Sequence, residues 1–79
     1  VRNACVAAGN SGDRGLVPAL VKLLVDDEPL VRGHAAWALG RLRGWEAQLA
    51  LASAAERETD LYVKEELLTA LATVKGTIA

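Results

Sequence analysis

An interval of thirty-one residues recurs along this chain, and it restricts the fold more than any other feature. RNACVAAG from Arg2 lies over GHAAWALG from Gly33, which sets Ala4 over Ala35 and Gly9 over Gly40. In the same register PALVKLL from Pro18 lies over LALASAA from Leu49. Val31-Arg32 and Ala38-Leu39 recur as Val63-Lys64 and Ala70-Leu71, one residue further on. A unit of this length holds two helices and a turn. It cannot bury its own apolar face, so neighbouring units have to stack.

The spacing inside each unit is helical. Leu16, Leu20, Leu23 and Leu24 share a face, as do Leu30, Ala35, Ala38, Leu39 and Leu42. Leu49, Ala52 and Ala55, then Leu67, Leu68, Leu71 and Val74, continue the pattern. Fifteen Ala, thirteen Leu and no Phe favour closely packed helices over strands. Gly12-Asp13, Asp26 to Pro29, Arg43-Gly44 and Thr59-Asp60 punctuate the pattern. Pro18 and Pro29 suit first helical turns, with Asp27 a candidate cap. These signals predict helices at about 2–11, 16–25, 29–42, 45–57 and 61–74. The expected fold is all-α, a short right-handed α–α superhelix of two hairpins and the first helix of a third. Residues 1–79 are expected to form a single domain, a fragment of a longer protein.

A net charge of -1 excludes a strongly cationic protein, but the charge is uneven. Three Arg and no acid lie between Arg32 and Arg43, whereas Asp26, Asp27 and Glu28 form an acidic run. One cysteine excludes an internal disulfide, a multi-cysteine zinc site and an iron–sulfur cluster held wholly by this chain. Cys5 aligns with Ala36 and reads as a buried structural thiol. His34 has no second ligand at metal spacing. GNSGDRG lacks the Lys-Ser/Thr ending of a phosphate loop and reads as a helix end, with Gly12 at positive φ. The apolar run Leu16 to Val25 is broken by Lys22 and too short to span a bilayer. No catalytic residues are expected, and neither DNA nor a membrane is an expected partner.

The candidate binding residues are Arg32, Arg41 and Arg43, because a guanidinium fork fits phosphate oxygens. Arg32 and Arg43 are eleven apart and share a face if the helix reaches Arg43. The plainer alternative pairs Arg32 with Asp27 or Glu28 and leaves Arg41 and Arg43 solvated. Asn3 aligns with His34, so Arg2-Asn3 and Gly33-His34 form a possible ladder, with His34 able to donate to a phosphate or a ribose hydroxyl. Arg14, Lys22 and Lys64 are further cations to consider. Trp37 reads as core before stacking platform, and Trp45, beside the Gly44 turn, as a contact with a partner domain. Gly33 and Gly40, inside a helix, call for close approach by another helix or a partner backbone.

The segment DDEPLVRGHAAWALGRL from Asp26 resembles the HEAT-like repeat of phycobilisome lyases. RNACVAAGNSGD from Arg2, VPALVKLL from Val17, PLVRGHAAWALGRL from Pro29 and ETDLYVKEELLTAL from Glu58 together resemble the C-terminal helical domain of the epoxyqueuosine reductase family. The resemblance covers nearly the whole chain, with one departure: Ala8 stands where the repeat carries Leu, as at Leu39. It implies a cytoplasmic enzyme of queuosine biosynthesis that reduces an epoxide on the wobble base of tRNA with a cobalamin and two [4Fe-4S] clusters. The domains for those cofactors would lie upstream. This portion would help hold the tRNA anticodon stem-loop. The alternative is a protein-interaction or structural scaffold without nucleic-acid contact.

Overall fold

In the computed structural model, which describes residues 2–76, the chain forms five α-helices: α1 (Arg2–Ser11), α2 (Val17–Leu23), α3 (Pro29–Leu42), α4 (Trp45–Arg57) and α5 (Leu61–Lys75). No strand occurs among the described residues. Three boundaries fall where the punctuation placed them. Pro29 opens α3, where its missing N–H costs little, Gly12 turns the chain at φ 73°, and Asp60 caps α5 by accepting from the Val63 N–H.

The second helix is shorter than the spacing predicts. Asp13 accepts from the Gly15 N–H and winds Arg14–Leu16 into a 3₁₀ turn, so the α-helix begins only at Val17. It ends at Leu23, after which Val25 and Asp26 donate to the carbonyls of Lys22 and Leu23 in tight i−3 bonds. Asp27 does not cap α3. The cap position belongs to Glu28, whose N–H is taken by the Asp26 carboxylate.

Packing follows from residue size. The helices α1, α3 and α5 lie side by side in one layer, and α2 and α4 pack behind it, in a slab of 29 × 27 × 16 Å. Glycines let the first layer close up. A Cβ on Gly40 would lie 2.9 Å from the Ala70 Cβ and 3.0 Å from its Cα, and one on Gly9 would lie 2.7 Å from the Trp37 ring. Between the layers Ala35, Ala36, Ala38 and Ala47 are fully buried around Leu39, Leu51, Leu67, Val63 and Cys5. Each fully buried Leu or Val stabilises the fold by about 1.5–3 kcal/mol. The arrangement is a short HEAT-like solenoid, with α3 as its central helix.

Candidate functional site

Because α1, α3 and α5 run parallel, their C-terminal ends gather on one edge of the slab. Arg41 on the last turn of α3 donates from Nη2 to the Asn10 Oδ1 of α1 at 3.1 Å. Arg43 follows α3, and its Nη2 lies 3.2 Å from the position a Cβ would take at Gly76, the cap of α5. Lys75 sits on the last turn of α5. Arg14 donates from Nη1 to the carbonyls of Leu42 and Arg43, both at 3.0 Å, and lies 3.6 Å from the Glu46 carboxylate. Those bonds satisfy two orphan carbonyls at the end of α3. Arg43 adopts φ 66°, strained for a residue with a Cβ, and Arg14 fixes its carbonyl there.

The opposite edge is acidic. Asp26, Asp27 and Glu28 precede α3, and Glu58 and Asp60 precede α5. Arg32 belongs to this edge. Its Nε and Nη2 donate to the two Glu58 oxygens at 2.9 and 3.0 Å, and its Nη1 donates to the carbonyls of Asp26 and Asp27 at 2.8 and 3.2 Å. The hydrogen bonds from Arg32 hold the Glu58 carboxyl below its ordinary range, and Glu58 in turn raises Arg32. Pairing of Arg32 with an acid was anticipated, but from the neighbouring Asp27 or Glu28. The carboxylate instead comes from the far end of α4.

The outer face of the first layer carries a groove of about 660 Å³ lined by Arg2, Val6, Asn10, Leu30, Gly33, His34, Trp37, Tyr62 and Glu66. Arg2 and His34 meet in it; Asn3, although exposed, is not part of its lining. Trp37 is 37% exposed, with the Arg41 guanidinium 5.6 Å from its ring centroid, so it is a groove wall and not a core residue. Tyr62, which the sequence reading did not single out, packs against Gly33, and burial pushes its hydroxyl pKa up. The repeat register could have found it, since it sits one residue past the match to Leu30. Trp45 stands 68% exposed on α4, one turn from Leu49 at 60%.

The structure therefore divides the sequence-predicted residues. Arg41 and Arg43 share the basic edge, Arg2 and His34 share the groove, Arg32 is on the acidic edge, and Trp45 is on the second layer. Arg32 and Arg43 do not share a face, because α3 ends at Leu42 and the chain turns at Arg43. Among the described residues no group of three His, Cys, Asp or Glu is placed to hold a metal ion. The one cysteine, Cys5, is buried, and that burial pushes its thiol pKa up. One buried thiol among the described residues does not supply the set of thiolates that holds an iron–sulfur cluster. No helix among them is long and apolar enough to cross a membrane.

Residues 2–72 match the family model for HEAT repeats, and the chain belongs to that family. Within it, the chain is 39% identical over 67 residues to the epoxyqueuosine reductase of Bacillus cereus and 37% identical over 67 residues to that of Listeria monocytogenes. Each match takes in 84% of this chain and 18% of the reductase. The chain is also 39% identical over 76 residues to an uncharacterized protein in the gldA 3′ region of Geobacillus stearothermophilus, covering 95% of this chain and 35% of that one. It thus spans about a third or less of the length of these relatives. No solved structure matches it.

Proposed function

We propose that this chain is a non-catalytic, tRNA-holding module of an epoxyqueuosine reductase acting in the cytoplasm. The observation that carries the reading is the basic edge, where Arg41, Arg43 and Lys75 converge from two parallel helices, taken with the similarity to the reductases. Arg41 and Arg43 would contact backbone phosphates of the anticodon stem-loop, with Asn10 orienting Arg41 and Arg14 fixing the turn. Arg2, Asn3 and His34 would lie further along the strand. Arg32 has no role in contact, since Glu58 occupies its guanidinium. Reduction of the epoxide would fall to the upstream domains, which would hold the cobalamin and the two [4Fe-4S] clusters.

The test is binding of a tRNA anticodon stem-loop across a salt series. Wild type is compared with the triple variant Arg41→Ala/Arg43→Ala/Lys75→Ala. Each phosphate contact contributes about 0.7–0.9 to the slope of log affinity against log salt, so the variant should lose about 2 units of slope. Absence of binding at low salt by folded protein refutes the reading. A second reading, a protein-interaction scaffold, draws on the exposed Trp45 and Leu49. It is favoured if Trp45→Ser weakens association with the reductase's upstream domains and leaves RNA binding intact.

A further inference from the structure

The second unit of the solenoid buries a face that the first unit leaves bare. Ala4, Ala7, Ala8 and Ser11 form a stripe on α1, nearly opposite Gly9, which faces α3. With Leu16 and Leu23 from the α2 side, that stripe lines a hollow of about 570 Å³ in which Ser11 is the only polar side chain. Ala4, Ala7, Ala8, Leu16 and Leu23 are each exposed or half-buried. Thirty-one residues further on, Ala35, Ala38, Leu39, Ala47 and Ala54 occupy the matching positions, and all five are buried. Their cover comes from the unit before. A Cβ on Gly9 of α1 would lie 3.2 Å from the Ala38 Cα, and α2 packs against both α3 and α4.

From this register we infer that the hollow seats one further helix, equivalent to α2, supplied by the stretch of the longer polypeptide directly ahead of α1. The interface is a repetition of one the molecule already builds, in which α2 lies over the α3–α4 pair. The occupant therefore carries an apolar stripe like that of α2, where Val17, Leu20 and Leu24 are buried. A second copy of this chain has no such stripe to offer, because its own α2 has spent those residues on its own core. Residues 24–28 join α2 to α3, and a connection of that length is enough to lead from the added helix into α1. Most of the length of the two reductases lies outside the matched stretch. The inference rests on the proposed reading only in taking this chain as a module of a longer protein. It does not depend on contact with tRNA.

The test compares the 79-residue chain with one that also carries the roughly thirty native residues ahead of it, one repeat in length. Amide exchange needs no substitution: protection in α1 and α2 should rise at least tenfold in the extended wild type. The double variant Ala7→Gln/Ala19→Gln changes two exposed positions to another good helix former. It should lower Tm by less than about 2 °C in the short chain and by about 8 °C or more in the extended one. Equal exchange in the two wild-type chains overturns the inference, as does an equal shift of Tm by the variant in both. A short chain that sediments as a dimer, and as a monomer once Ala7 and Ala19 are changed, overturns it in favour of a second copy. Stem-loop binding, measured on the same proteins, should be the same in wild type and variant, and its absence from both refutes the tRNA reading alone.

Discussion

Replacing Arg32 with Met removes four hydrogen bonds at once: two to the Glu58 carboxylate and two to the Asp26 and Asp27 carbonyls. The Glu58 side chain is only 6% exposed, so its carboxylate is left with the Asp60 N–H and little water. Breaking a deeply buried pair costs about 3–5 kcal/mol. This pair lies at the edge of a slab 16 Å thick, where the surrounding solvent screens it in spite of the low direct exposure. The expected loss is therefore about 2 kcal/mol. For a domain of this size that lowers Tm by about 10 °C, readable by thermal melts followed at 222 nm. The sign with pH is also fixed. Glu58 has a depressed pKa in the folded state, so its contribution is present above the ordinary carboxylate range and is lost as pH falls through the depressed value. The difference between wild type and Arg32→Met should shrink as pH falls from neutrality down through the ordinary carboxylate range and the depressed Glu58 value. A difference that stays constant across that range refutes the assignment of the stabilisation to this ion pair.

Two other perturbations test the packing and the caps. Gly40→Val places side-chain atoms against Ala70 of α5, within 3.0 Å of its backbone, and should cost about 2 kcal/mol in urea unfolding through separation of the two helices. Asp60→Ala removes the acceptor for the Val63 N–H and should cost about 1 kcal/mol, with faster amide exchange confined to the first turn of α5.

The helices were legible because their signals are local. Pro29, Gly12 and Asp60 act within a few residues, and the 3.6 periodicity survives in a chain so rich in Ala and Leu. The start of α2 came within one residue, Leu16 falling in the 3₁₀ turn that Asp13 sets, and its end fell two residues early because Val25 and Asp26 close tight i−3 turns instead. Gly33 and Gly40 were read correctly as sites of close approach, against Tyr62 and Ala70. The face of Arg32 was not legible. Its partner lies twenty-six residues away at the end of α4, and spacing along one helix carries no information about that distance. Likewise a shared face for Arg32 and Arg43 required the helix to reach Arg43, which its positive φ rules out. Trp37 was read as core before stacking platform, whereas its place on the outer face of the first layer leaves it more than a third exposed.

The excess of cations at one set of turns and of acids at the other has an effect beyond any contact. With a net charge of -1, the molecule has almost no monopole to draw a partner in from afar. What it has instead is a permanent dipole across a width of nearly 30 Å. It should bind weakly to both cation and anion exchangers, each time presenting the opposite edge to the eluent. An approaching polyanion exerts a torque on it before it exerts a net pull, turning Arg41, Arg43 and Lys75 forward.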